Sequence, residues 1–330
     1  VKDLIKKLSE VYGPSGREEQ IRDVIRGEVE PLVDQVSVDA LGNLVALRKG
    51  ASGGKKVMLA AHMDEIGLII SYVDRKGFLR FQPIGGVEVM TLMGGRVQFA
   101  DGKIGVIAPE KRPEFKKEPE LAKLYIDIGA TSQDEAKGCL GEAVSFVRPF
   151  ADLGKRIVAK AIDDRIGCAV LIEVLRRLKD SPHDVSCVFS VQEEVGLRGA
   201  RTSAYGLNPD IGIAVDITLA ADTPEAEKLA MKLGGGPCIK VMDSGMLSHP
   251  GVKSLLIDTA ESRAIPYQLE VLDRGTTDAA AIQLARSGVA AGCVSIACRY
   301  YHTPSEMVDI DDVENTVKLL LSVLDQPIEL

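Results

Sequence analysis

The first eight positions, Val1-Lys2-Asp3-Leu4-Ile5-Lys6-Lys7-Leu8, set apolar residues at helical spacing among charges, which predicts an amphipathic helix. The pattern stops at Tyr12-Gly13-Pro14-Ser15-Gly16, a turn, and a second helix is expected over 18–28. Ser15, with Glu18 three residues later, reads as the capping box of that helix. A β-prone run, Lys56-Val57-Met58-Leu59-Ala60-Ala61, ends in His62-Met63-Asp64-Glu65. The texture then changes. Short apolar runs at 68–73, 78–81, 96–99 and 105–108 are separated by Gly77, Gly85-Gly86, Gly94-Gly95 and Gly102, the pattern of a small, mainly β unit. After Pro149 longer periodic segments return. Residues 165–178 carry Ile166, Ala169, Val170, Ile172, Val174 and Leu175, a helix with one broad buried face. Strands at 185–191, 211–217 and 293–298 are expected alongside helices near 253–263, 277–287 and 311–324. The fold class is therefore α/β: residues 1–65 and 150–330 form one domain, the first segment pairing with the last, interrupted by a β-rich insert over 66–149.

A chain of 330 residues suits two domains, and 45% hydrophobic with 27% charged residues is ordinary globular material. The net charge of −8 argues against a dedicated nucleic-acid partner. Its nearest basic run, Lys111-Arg112 with Lys116-Lys117, is interleaved with Glu110, Glu114, Glu118 and Glu120, so residues 109–120 read as a charged, mobile loop. No apolar stretch reaches membrane-spanning length, and the opening helix carries charge throughout, unlike a signal peptide. The six cysteines form no CxxC pair, and Cys187, Cys293 and Cys298 lie in apolar strand-like runs, so free thiols and a cytoplasmic location are expected. Gly234-Gly235-Gly236 lacks the Lys-Ser/Thr of a phosphate-binding loop and reads as a turn.

Candidate chemistry collects where strands end. The first strand ends at His62, with Asp64 two residues on; the approach 157–162 ends in Asp163-Asp164; the run 185–191 leads to Glu193-Glu194. The run 211–215 ends in Asp216, and 294–301 ends in His302. Each has a plain structural reading when taken singly. The histidines could be polar loop residues, Asp163-Asp164 could cap the following helix, Asp216 could open a turn, and the two glutamates could be solvated. Together, five ends of one sheet each carry a His or a carboxylate, on the side of an α/β sheet where ligands bind. Two histidines with several carboxylates and no cysteine suit divalent Zn, Co or Mn. The carboxylates are too many for one closed tetrahedral site, and a pair of cations bridged by one carboxylate uses them economically. Two cations would lower the pKa of a shared water, making hydroxide available near neutral pH, and a carboxylate outside the ligand set could move its proton to a leaving amine. His183, after Ser181-Pro182, and His249, before Pro250, read as structural.

At these residues the chain resembles the tetrahedral (TET) or deblocking aminopeptidases, dinuclear metallopeptidases that include glutamyl aminopeptidases and some proteins labelled endoglucanase. The matching motifs are Ala61-His62-Met63-Asp64-Glu65-Ile66-Gly67, Ala161-Ile162-Asp163-Asp164-Arg165-Ile166-Gly167 and Gln192-Glu193-Glu194-Val195-Gly196-Leu197-Arg198-Gly199-Ala200. Pro14-Ser15-Gly16, Val215-Asp216, Gly275-Thr276-Thr277-Asp278-Ala279 and Tyr301-His302-Thr303-Pro304 extend the likeness over nearly the whole chain. The resemblance implies a mixed-sheet α/β/α metallopeptidase domain with an inserted small β-barrel, described as PDZ-like, that helps build a tetrahedral homododecamer. It implies two divalent ions per subunit, Zn or Co: His62 and Asp216 on one, Glu194 and His302 on the other, Asp163 bridging. Glu193 would be the general base, Asp64 would orient His62, and a cis peptide would follow Asp163. Thr277 and Asp278 would border the pocket for peptide substrates with a free N-terminus; here Thr276 replaces the second glycine of the usual Gly-Gly-Thr-Asp.

Three other readings remain at this point. A dinuclear deacylase or carboxypeptidase would need a cationic clamp, for which Arg165, Arg198, Arg274 and Arg299 are the sources. An endoglucanase would have to use Glu193 and Glu194 as its carboxylate pair, although such pairs usually stand about 5–9.5 Å apart on separate elements. A non-catalytic shell protein would leave the acidic and histidine residues without a task.

Overall fold

A computed structural model describes residues 1–51, 54–111 and 119–330. Residues 112–118, with most of the expected charged loop and of the basic run, lie outside the described residues. The amino-terminal segment forms α1 (Lys2–Ser9), α2 (Glu19–Val29), β1 (Gln35–Val38), β2 (Leu44–Arg48) and β3 (Lys56–His62). The middle segment forms β4 (Gly67–Val73), β5 (Leu79–Ile84), β6 (Arg96–Phe99), β7 (Ile104–Pro109), β8 (Leu124–Asp127), the short α3 (Gln133–Ala136) and β9 (Ala143–Phe146). Next come β10 (Ala151–Asp152), β11 (Arg156–Ala159), α4 (Ile162–Arg177), β12 (Asp184–Ser190), α5 (Arg198–Leu207) and β13 (Ile211–Leu219). The chain finishes with β14 (Cys238–Met242), α6 (Pro250–Ser262), β15 (Gln268–Val271), α7 (Asp278–Gln283), β16 (Ala290–Arg299), β17 (Glu306–Asp309) and α8 (Ile310–Leu324).

Strands β4 to β9 close into a barrel in the order β4-β5-β8-β7-β6-β9, around a core that includes Leu68, Phe81, Val97, Ile107, Ile126 and Phe146. The remaining strands make one mixed sheet, 11-stranded among the described residues, whose main path runs β1-β2-β12-β3-β13-β16-β17-β11-β10. Strand β3, from the first segment, lies between β12 and β13, parallel to both, so the two ends of the chain share one sheet. Its successive side chains face opposite ways and both faces are covered. Val57, Leu59 and Ala61 join the core beneath α1, α2, α4 and α8, while Met58 and Ala60 pack with Ala200, Ala204 and Ile282 of α5 and α7. The result is an α/β/α sandwich.

Strand direction explains why one edge of this sheet collects the chemistry. Strands β12, β3, β13 and β16 are mutually parallel; β17 runs against β16, and β11 runs against β17. Strands β3, β11, β12, β13 and β16 therefore share one sense, and their carboxyl ends emerge on the same side.

Two local expectations are corrected. Ser15 does not cap α2: its hydroxyl donates to Asp64 Oδ2 at 2.6 Å, while Glu18 accepts from the Gly16 and Gln192 amides. The helix over 165–178 is buried all round rather than on one face, because α1 and α8 cover the side turned away from the sheet. Between barrel and sheet, Glu65 is buried with Lys160 Nζ at 2.7 Å and Arg165 at 3.6 Å, and it accepts the Gly13 amide. Breaking such a buried group by removing one partner costs about 3–5 kcal/mol, so this knot fixes the junction firmly. The glycine run Gly234-Gly235-Gly236 is a turn as expected, and its amides at 234 and 236 each donate at 2.7 Å to Asp312. All six cysteines are free and buried. No helix among the described residues is long and apolar enough to cross a membrane.

Candidate active site

Where β3 ends, the His62 ring is held in a fixed orientation. Its Nδ1 donates to the carbonyl oxygen of Asp64 at 3.1 Å, which turns Nε2 into the cleft. Nε2 stands 3.0 Å from Asp163 Oδ1. The second oxygen of Asp163 stands 3.4 Å from His302 Nε2, so one carboxylate lies between the two rings. His302 Nε2 is also 3.5 Å from Glu194 Oε2, and the other oxygen of Glu194 is buried without a hydrogen-bond partner. Asp216 joins from β13, though the strand continues to Leu219, so it sits within the strand rather than at its end.

The pair Asp163-Asp164 splits cleanly. The peptide bond between them is cis. Asp164 accepts the His62 amide on one oxygen at 3.2 Å and the Gly167 amide on the other at 3.0 Å, so it caps the regular part of α4 that follows the non-helical Asp163-Asp164 pair. Asp163 is left facing the two histidines. Among the described residues, two groups of side chains are spaced to hold a cation: His62, Asp163 and Glu194, and His62, Asp164 and Asp216. Because both oxygens of Asp164 are taken by amides, Asp163 fits better as the neighbour of Asp216 in the second group.

Glu193 and Glu194 reach one place because the backbone turns. Adjacent residues on a straight strand would point oppositely. Gln192 adopts a left-handed conformation (φ 55°), and the carbonyl of Glu193 accepts the amides of Gly196 and Leu197 at 2.9 Å each. Asp64 fixes the turn: Oδ1 accepts the Glu193 amide at 3.0 Å and Oδ2 the Glu194 amide at 3.2 Å. The Asp64 carboxylate itself lies 3.6 Å from His62 Nδ1, so its closer bonds are to the glutamate backbone. Glu193 Oε2 ends 3.9 Å from His62 Nε2.

So many acids in one buried place cannot all ionise without positive charge nearby. Burial, reinforced by the charge of Asp163, pushes the Glu194 carboxyl up to about 8 and that of Asp216 up to about 7. Burial and the charges of Asp216, Asp278 and Glu194 push Glu193 well above the usual carboxylate range. Asp163, by contrast, is held low: burial opposes it, but hydrogen bonds from His302 and His62 win. Burial also opposes His302, yet Asp163 and Glu194 raise its ring to about 9. An oxygen- and imidazole-rich set short of positive charge, with an unpartnered buried carboxylate oxygen, fits divalent cations.

These groups line a cleft of ≈ 330 Å³ that continues past Ile217, Leu219, Leu272 and Tyr301. Thr277 precedes α7 and lines the cleft with a buried hydroxyl that has no partner. Asp278 lies behind it, one oxygen accepting the Ser190 hydroxyl and the other unpartnered. None of the four arginines stands free in the cleft. Arg165 is wholly buried on the carbonyls of Leu8, Val11 and Gly13, Arg299 is paired twice with Asp222, and Arg198 holds Gln192. Arg274 reaches the cleft but is paired with Glu227 at 2.5 Å. His183 ties Lys55 to Gln326, a structural contact, and His249 precedes α6 and does not line the cleft.

Two contributors carried no signal in the sequence pattern. Glu306 accepts the amides of both Asp163 and His302. Gly85-Gly86, read as barrel punctuation, leaves β5 and presses on the site: a Cβ on Gly86 would lie 2.5 Å from His302 Nδ1, and one on Gly85 2.9 Å from Glu194.

The chain is similar along its length to known peptidases. It is 38% identical to the lysyl aminopeptidase of Pyrococcus furiosus, over 98% of this chain and 96% of that one. Aminopeptidase APDkam598 from the archaeon Desulfurococcus kamchatkensis superposes with a TM-score of 0.94 at 45% identity, covering 98% of this chain and 94% of that one. The TET1 peptidase of Pyrococcus horikoshii, described as assembling into a tetrahedron or a large octahedral shell, superposes at 0.87 with 32% identity over 98% and 99% of the two chains. The profile of the M42 glutamyl aminopeptidases matches residues 42–319. A mixed α/β sheet with an appended closed barrel, and sequence likeness across the same span, lead to one conclusion: this chain is a peptide-bond hydrolase and belongs to the M42 glutamyl aminopeptidase family.

Proposed function

We propose that the protein is a dinuclear metal-dependent aminopeptidase, removing N-terminal residues from peptides that carry a free amine. The observation that carries this reading is the position of Asp163, with one oxygen 3.0 Å from His62 and the other 3.4 Å from His302. His62 and Asp216 would hold one divalent ion, Glu194 and His302 the other, with Asp163 shared. Zn or Co bound there would polarise the scissile carbonyl and acidify a water. Glu193, 3.9 Å from His62 Nε2 and free of any such ion, would take the water's proton and return it to the leaving amine. Asp64 keeps that carboxylate in place by fixing its backbone, and Ser15 holds Asp64 in turn. The Thr277 hydroxyl is available to the substrate backbone, with Asp278 supporting the same wall.

Residues 66–149 would form an assembly or cap unit outside the catalytic domain of 1–65 and 150–330, within a homo-oligomer built as a tetrahedral dodecamer. Six unpaired cysteines agree with a cytoplasmic setting. The family profile bears the word glutamyl and the Pyrococcus furiosus relative the word lysyl, so the preferred N-terminal residue is taken from neither.

The deciding experiment is a metal-reconstituted assay on a panel of aminoacyl amides and short peptides, with N-acetylated and C-amidated versions of each. Free amines should be cleaved, acetylation should abolish cleavage, and amidation should not matter. Equal cleavage of the acetylated series would replace this reading with a deacylase or endopeptidase.

A further inference from the structure

The strand β17 lies between β11 and β16, the two strands whose carboxyl ends deliver Asp163 and His302. Glu306 is its first residue, and it is registered opposite Ala159, the last residue of β11. The side chain is 1% exposed. Its Oε2 accepts the amide of Asp163 at 3.0 Å, and its Oε1 accepts the amide of His302 at 2.9 Å. No sequence motif ties these two residues together; they are 139 positions apart and come from different loops. His302 also holds a left-handed backbone (φ 57°), a conformation that a non-glycine residue keeps only where its surroundings fix it.

We propose that Glu306 is a positioning residue: by binding both amides with one buried carboxylate, it sets the separation of Asp163 from His302 and so the spacing at which the second cation is held. The inference rests on the dinuclear reading above. Asp64 does the corresponding work on the opposite wall, where its two oxygens take the amides of Glu193 and Glu194. The cleft is thereby framed by two buried carboxylates that point at backbone rather than at the reaction. Satisfied amides alone would make Glu306 a structural residue. What marks a spacing role is that the two amides belong to the two residues flanking one cation position, and that no other side chain among the described residues joins them.

Glu306→Gln keeps the shape and breaks the clamp. A carboxamide has one accepting oxygen, and its NH2 would face the second amide donor to donor. Cobalt titration of the metal-free variant, followed by visible absorption, should show one ion bound as in the wild type and the second about 10–100-fold weaker. Amide hydrogen exchange in the metal-free protein gives a second readout. The amide of Asp163 or His302 should exchange at least about tenfold faster, while that of Gly167, held by Asp164, keeps its rate. Two ions bound with wild-type affinity, together with unchanged exchange at both amides, would overturn the proposal. Should the wild type itself bind fewer than two ions, the dinuclear reading fails, and the exchange rates still decide the clamp. If the glutamine variant does not fold, Glu306→Asp retains the carboxyl group but, one methylene shorter, reaches only one of the two amides. Unchanged exchange at both positions in that variant would likewise overturn the proposal.

Discussion

Glu193 and Glu194 stand next to each other and meet different surroundings, which is why one substitution can separate proton transfer from cation binding. Glu194 faces His302 at 3.5 Å, whereas the Glu193 carboxylate stands 3.9 Å from His62 Nε2. Glu193→Gln should lower turnover by about 10²–10⁴-fold, the usual worth of general acid–base catalysis, while two equivalents of metal remain bound by elemental analysis. Near-native turnover in that variant would remove Glu193 from its assigned role. The crowding of charge also makes the metal-free protein sensitive to pH. Glu194 at about 8 and Asp216 at about 7 lie above the 4.5 and 3.8 of these groups in an unfolded chain. Between those limits the folded chain binds more protons than the unfolded one, so stability falls as pH rises. His302, raised to about 9, acts in the same sense, its contribution complete below 6.5 and lost as pH climbs through 9. Asp163 and Asp64, both held low, lose their contributions only on the acid side of this window. After chelation, the urea midpoint should therefore be higher near about pH 5.5 than near about pH 8.5, and added Co or Zn should flatten that slope. A chelated protein more stable at the alkaline end would show that the acids are not proton-loaded in the fold.

The elements bring these residues together through strand sense, and that part was legible in the chain. His62 and the glutamate pair follow runs whose apolar character marks them as interior strands, and β3 with β12 indeed lie in the middle of the sheet. Less local facts were not legible. Ser15 and Glu18 have capping-box spacing, but the buried Asp64 offers the serine a charged acceptor, and tertiary contact overrides the local pattern. Glu306 acts on backbone amides, which have no sequence signature. Gly85-Gly86 matters through close approach between barrel and sheet, which no periodicity encodes. Gly86→Ala tests that seam. Its Cβ would fall 2.5 Å from the His302 ring, and the ring is the softer partner because the glycine is on the backbone bend that leaves barrel strand β5. Displacing it should weaken the second cation about 10–100-fold while leaving the melting temperature of the chelated protein nearly unchanged. Wild-type cation affinity in Gly86→Ala would mean that the barrel yields instead and has no part in shaping the site.

At the scale of the whole molecule, the question is what covers its exposed apolar residues. Tyr205, Leu247 and Leu284 are 60%, 66% and 76% exposed, and they are neighbours: the Gln283 side chain donates to the Leu247 carbonyl, and Arg286 lies 4.2 Å over the Tyr205 ring. On β15, which among the described residues pairs only with β14, Leu269 and Val271 are exposed, giving an apolar outer face beside an unpaired edge. Such an edge is a liability unless another surface meets it. A closed assembly of identical chains would meet both features with the same pair of patches repeated by symmetry. In the proposed tetrahedral dodecamer, light scattering after size exclusion should give twelve times the 35.4 kDa chain. Neither apolar patch contributes to the cleft, so disrupting one should separate assembly from chemistry. Leu247→Glu with Leu284→Glu should lower the mass to a smaller species while cobalt titration still reports two ions per chain. A wild-type protein that runs as a single 35.4 kDa chain at micromolar concentration would remove the shell from this account and leave the exposed leucines without a partner.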